Sequence, residues 1–89
     1  MILTKIYVGS NNETGILELV IIHKVLQSLG ICGYTLTQGA GYWQGKSENT
    51  AIIEILGDYN TGIIPELKRE LKQDSILVIT SIVNAKFND

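Results

Sequence analysis

The chain has 89 residues, a formal net charge of −2, 45% hydrophobic and 18% charged side chains, one cysteine and one histidine. That length supports one domain with a modest core. The acidic balance, with basic residues gathered only as Lys68-Arg69 and Lys72, suits neither nucleic acid nor a membrane surface. The longest apolar runs are too short to span a bilayer.

Ile2 to Val8 alternates, which predicts a strand with Ile2, Ile6 and Val8 on one face and Leu3, Lys5 and Tyr7 on the other. Gly9-Ser10-Asn11-Asn12 is turn chemistry. From Glu13 to Leu29 the period becomes helical: Leu17, Ile21 and Val25 stack, and Ile22, Leu26 and Leu29 widen the stripe. Asn12 or Thr14 is placed to cap its start, and Gly30 sits where a left-handed C-cap residue belongs. His23, beside Lys24 in the polar sector, reads as an exposed or half-exposed helix residue, with an acid–base role as the competing reading. Cys32 has no partner for an internal disulfide and reads as a packed thiol, which with the absence of a signal-peptide pattern predicts the cytoplasm.

Tyr34–Gln38 and Thr50–Leu56 predict two further strands. The second has Ala51, Ile53 and Ile55 on one face and Ile52, Glu54 and Leu56 on the other. A buried Glu54 would need a partner such as Lys5 or Lys86. Between the strands, Gly39–Asn49 reads as a glycine-rich loop carrying Tyr42, Trp43, Lys46 and Glu48, with Gly39, Gly41 and Gly45 free to take positive φ. Gly57-Asp58-Tyr59-Asn60 turns the chain. Asn60 or Thr61 caps a second helix that holds Pro65 in its first turn and has Ile63 or Ile64, Leu67 and Leu71 as its apolar stripe. After Gln73-Asp74-Ser75, Ile76 to Val83 is apolar on both faces, so both faces call for cover. The tail Asn84–Asp89 is polar except for Phe87.

The order βαββαβ predicts an α+β, ferredoxin-like single domain over residues 1–89, with a four-stranded antiparallel sheet and both helices on one face. Leu3, Tyr7, Ile52, Leu56 and half of the last strand would line the other face, and apolar sheet of that extent marks association. A homo-oligomer is therefore expected.

In its element order, size, open apolar sheet face and the long loop between strands two and three, the chain resembles the PII-like and CutA-like small ferredoxin-fold proteins. That resemblance implies a homotrimer whose sheets pack inward and which binds nucleotides or small anions in clefts between subunits. It also makes Gly39–Asn49 the ligand-responsive loop, much shorter here than in the nitrogen-regulatory PII proteins. A second likeness is local. Gly41-Tyr42-Trp43 and Gln73-Asp74-Ser75-Ile76-Leu77 resemble the corresponding stretches of bacterial and phage domains of the same fold.

An anionic ligand needs inward N–H groups, a cation and an aromatic surface. Gly39-Ala40-Gly41 and Gly45-Lys46 offer the first two. Tyr42 or Trp43 offers stacking, and Thr35 and Thr37 offer hydroxyls on one strand face. The expected ligand-binding set is thus Thr35, Thr37, Gly39, Gly41, Tyr42, Trp43, Gly45, Lys46 and Glu48. The competing reading packs Trp43 between subunits and leaves Lys46 and Glu48 to pair in solvent. Neither a dinucleotide fingerprint nor a P-loop is present, since the Gly-x-Gly opens no helix. No Ser/His/Asp set, Cys/His set or metal-ligand cluster is present, so no catalytic residue, cofactor or metal is expected. The functional expectation is a non-catalytic homo-oligomer, a trimer by the resemblance, that senses or sequesters a small anionic metabolite of nucleotide type. A phage-type sponge for a nucleotide signal fits the size and the isoleucine-rich coding bias. A protein-docking module is the alternative, and a nucleotide-acting enzyme ranks third.

Overall fold

A computed structural model describes residues 1–31, 33–57 and 62–88. Cys32, the turn at Asp58-Tyr59-Asn60, the proposed caps Asn60 and Thr61, and the terminal Asp89 lie outside the described residues. The elements run β1 (Ile2–Val8), α1 (Leu19–Ser28), β2 (Thr35–Trp43), β3 (Lys46–Leu56), α2 (Ile63–Leu71) and β4 (Leu77–Ile82). The four strands form one antiparallel sheet in the order β2-β3-β1-β4. This is the ferredoxin-like arrangement that the element order predicts.

The core lies where alternation placed it. Ile6 and Val8 of β1 and Ala51, Ile53 and Ile55 of β3 are buried under the helices, together with Thr4. Ile22, Val25 and Leu26 of α1 and Ile63, Leu67 and Leu71 of α2 complete that layer. Each fully buried aliphatic side chain contributes about 1.5–3 kcal/mol relative to exposure.

α1 is shorter than the periodicity of residues 13–29 predicts. Gly15 takes φ 73°, a conformation that no right-handed helix contains, so the helix starts only at Leu19. Asn11 organises the turn before it, its Oδ1 accepting from the N–H groups of Glu13 at 2.8 Å and Thr14 at 3.2 Å. The predicted cap from Asn12 or Thr14 is therefore corrected: the N-cap is Glu18, without a side-chain cap bond. The other end follows expectation. Gly30 takes φ 78°, its N–H bonds to Gln27 O and that of Ile31 to Leu26 O, which is a Schellman ending with Ile31 packed in the core.

In α2, Pro65 is the third residue, where a missing N–H costs nothing, and Ile63, not Ile64, leads the buried stripe. β4 departs most from its expectation. It is an edge strand, and all six of its residues are exposed, so the single chain covers neither of its apolar faces.

On the side away from the helices, the register aligns Leu3 with Leu56 and Ser81, Lys5 with Glu54 and Ile79, and Tyr7 with Ile52 and Leu77. This open face is the apolar surface that the sequence predicts. Among the described residues no helix is long and apolar enough to cross a membrane.

Candidate functional site

The glycine-rich stretch is not a loop. β2 and β3 continue through it, pairing Gly39 with Thr50, Ala40 with Asn49, Gly41 with Glu48, Tyr42 with Ser47 and Trp43 with Lys46. Between these paired strands the loop shrinks to the turn Gln44-Gly45, with φ 50° and 81°. Positive φ at both central residues is the signature of the tight hairpin turn whose twist matches its strands. Because β1 ends opposite Ala51, the hairpin beyond that point projects as a two-stranded ribbon. β3 alone, at 11 residues, spans roughly 36 Å at the usual strand rise. The molecule measures 42 Å by 28 Å by 23 Å.

Of the three glycines expected to take positive φ, only Gly45 does. Gly39 and Gly41 are extended ladder residues, so Gly39-Ala40-Gly41 does not curl into an anion-binding nest. Gly41 has a different necessity, because a Cβ there would collide with Thr50 Oγ1. At Gly9 a Cβ would lie 2.8 Å from Glu48 Oε1, which places that carboxylate against Gly9 without demanding a glycine, since the end of the Glu48 side chain can yield. Glu48 therefore leans back over the end of β1 and away from Lys46.

Paired residues of an antiparallel ladder share a face, so the ribbon sorts the expected ligand set. Thr35, Thr37, Gly39, Gly41, Trp43, Lys46 and Glu48 lie on the open face, continuous with Ile52 and Tyr7. Tyr42 points to the opposite face, and Gly45 stays in the turn. Trp43 and Lys46 form the last pair before the turn, which puts both residues on one face at the tip of the ribbon. Trp43 is 66% exposed and Tyr42 76%. Among the described residues Lys46 and Glu48 enter no ion pair.

Thr50 and Gly9 belong to this surface and escaped the sequence reading. Carrying the alternation of β3 backward from Ile52 to Thr50, Glu48 and Lys46 would have found Thr50. Gly9 reads as turn chemistry until β1 and β3 are paired. Behind it, Ser10 Oγ donates to Asn49 O at 3.1 Å, and Gln73 Nε2 donates to Ser10 O at 2.5 Å, fixing the root of the ribbon.

His23 is half-buried, as one branch of its sequence reading had it, but it has a partner: its Nδ1 lies 2.5 Å from Tyr34 Oη. That pair sits between α1 and the entrance to β2, away from the ribbon's open face. A groove between α2 and β4, lined by Ile64, Pro65, Lys68, Arg69, Gln73 and Val78, holds none of the expected ligand residues. Among the described residues no three His, Cys, Asp or Glu side chains gather to hold a metal ion.

No family model matches the chain, and no curated protein matches it significantly. Solved structures do. A phage SAM lyase in its apo state superposes with a TM-score of 0.62 at 19% identity, over 90% of this chain and 78% of that one. CutA1 from Oryza sativa gives 0.57 at 14% identity, over 98% of this chain and 84% of that one. The chain has the CutA-like fold. CutA from Xylella fastidiosa agrees, with a TM-score of 0.55 at 15% identity over 96% and 86% of the two chains. At such identities the likeness establishes architecture, and the CutA-like fold carries no residue role with it.

Proposed function

We propose that this protein is a non-catalytic homo-oligomer, most simply a cytoplasmic trimer, that senses or sequesters a small anionic metabolite of nucleotide type. The observation that carries the reading is the shared face of the ribbon. Lys46, Trp43, Thr37 and Thr35 line one surface, which runs directly onto the apolar open sheet. A cation, an aromatic plane and hydroxyl donors are the groups that an aromatic, phosphate-bearing ligand engages. An open sheet packed against another copy would place the ribbon at a boundary between subunits, where a cleft forms. One structural neighbour is named as a phage SAM lyase, so an enzyme shares this fold and the third reading, a nucleotide-acting enzyme, stays in competition. A role as a phage-type sponge for a nucleotide signal belongs to this reading.

The test is to denature the purified protein and weigh whatever small molecule is released, alongside light scattering of the native protein. A stoichiometric nucleotide-like mass from an oligomer supports the reading. A protein that releases nothing and shifts with no nucleotide in a fluorescence titration overturns it. One observation favours a second reading. Tyr42 and Trp43 expose large rings on opposite sides of the ribbon, as a docking arm for another protein would. Retention of a protein partner without any small molecule would favour that module.

A further inference from the structure

In the middle of the apolar open face, Lys5 and Glu54 stand directly opposite each other across β1 and β3. Both are half-buried. Leu3 and Leu56 lie on one side of them, Tyr7 and Ile52 on the other, Ile79 beyond Lys5 and Thr35 beyond Glu54. Directly opposed strand residues have Cβ atoms about 4.5–5.5 Å apart, well within reach of an ion pair. Yet they do not form one. Among the described residues the ion pairs within 4.0 Å are Arg69 with Glu66 and Arg69 with Glu70.

A purely apolar partner would desolvate both charges and leave each with at most the other as compensation, a burial that is costly even for a paired charge. A second copy of this chain brings the same two charges in opposite sense. Stacking like on like would set Lys5 against Lys5 and Glu54 against Glu54. An offset stacking sets each Glu54 against a Lys5. We propose that Lys5 and Glu54 pair between copies of the chain, and that this exchange selects the register in which the open faces stack. The inference rests on the homo-oligomer reading above and adds the residues that decide its geometry. Opposite charges across a contact, with like charges penalising the wrong register, are how interfaces secure specificity.

The experiment measures native mass by light scattering for the parent protein, Lys5→Glu, Glu54→Lys, the double exchange in one chain, and an equimolar mixture of the two single variants. Circular dichroism confirms that each is folded. The single variants carry faces of one sign and are expected to dissociate at concentrations where the parent is assembled. Mixing them joins an all-acidic face to an all-basic one and is expected to restore association in pairs, since a closed ring of three would keep one like-sign contact. Single variants that assemble like the parent overturn the inference while leaving the oligomer reading intact. So does a double exchange that assembles while the mixture stays monomeric, since the pair then acts within one chain. A monomeric parent overturns both. Should a charge reversal fail to fold, Lys5→Met and Glu54→Gln replace it. Each is expected to weaken association roughly tenfold or more while remaining folded, and unchanged association overturns the inference.

Discussion

Trp43 is so exposed in the single chain that truncating it removes little buried surface. Trp43→Ala is expected to leave the melting temperature of dissociated protein nearly unchanged, in contrast to the about 3–5 kcal/mol lost when a buried aromatic goes. Nucleotide affinity should fall in the same variant, and the parent's Trp43 emission should shift to the blue on binding. An emission maximum unmoved by any nucleotide would make the ring a docking element. Lys46→Ala should weaken an anionic ligand by about 1.5–3 kcal/mol, measured by titration calorimetry, with the melting temperature unmoved. If melting falls and affinity holds, Lys46 is structural. Gly41 calls for a different experiment. Gly41→Ala pushes a methyl group into Thr50, and overpacking of this kind costs about 1–3 kcal/mol. Thr50→Ala in the same chain should recover most of that loss in denaturant unfolding, a coupling that two independent sites would not show.

At the scale of elements, the hairpin depends on a turn in which both residues take positive φ. Gln44→Asn, which gives the Asn-Gly pair favoured there, is expected to raise the melting temperature. Gly45→Ala, at φ 81°, should lower stability by about 1–2 kcal/mol. The same hairpin shows why some of the structure was legible in the sequence and some was not. β3 from Thr50 to Leu56 announces itself by alternation of branched apolar residues, and so does β1. The faces and the core follow from those two strands. Across Gly39-Ala40-Gly41 the alternation has no side chains to carry it, and glycine suggests flexibility. What keeps the chain extended there is pairing with Glu48–Thr50, a partner seven to eleven residues away that periodicity within one strand cannot reveal. The stop before α1 was hidden for a related reason. Leu17 packs against the core from a non-helical segment, so the apolar spacing outlasts the helix. The ligand set was legible as residue types, while its division between two faces required the register.

At the scale of the whole molecule, the proposed assembly rests on the open face. Ile52 sits beside Tyr7 and Thr37 on that face, so Ile52→Lys should reduce the native mass to that of one chain while the circular dichroism of the fold is kept. An unchanged mass would mean that the face is covered by something else. β4 adds a hazard. Ile76-Leu77-Val78-Ile79-Thr80-Ser81-Ile82-Val83 contains no charge and no proline, and in β4 it runs along a sheet edge with Ile82 90% exposed. An uncharged, exposed edge strand of this composition is a template for cross-β growth. Assembly through the open face would shield Leu77 and Ile79 from such growth. Dilution ordinarily protects a protein from fibril formation, but here it would release the subunit in which that template is bare. Fibril seeding should therefore be fastest at intermediate concentrations, where free subunits are abundant enough to meet and too dilute to assemble, and a thioflavin time course across a dilution series would show it.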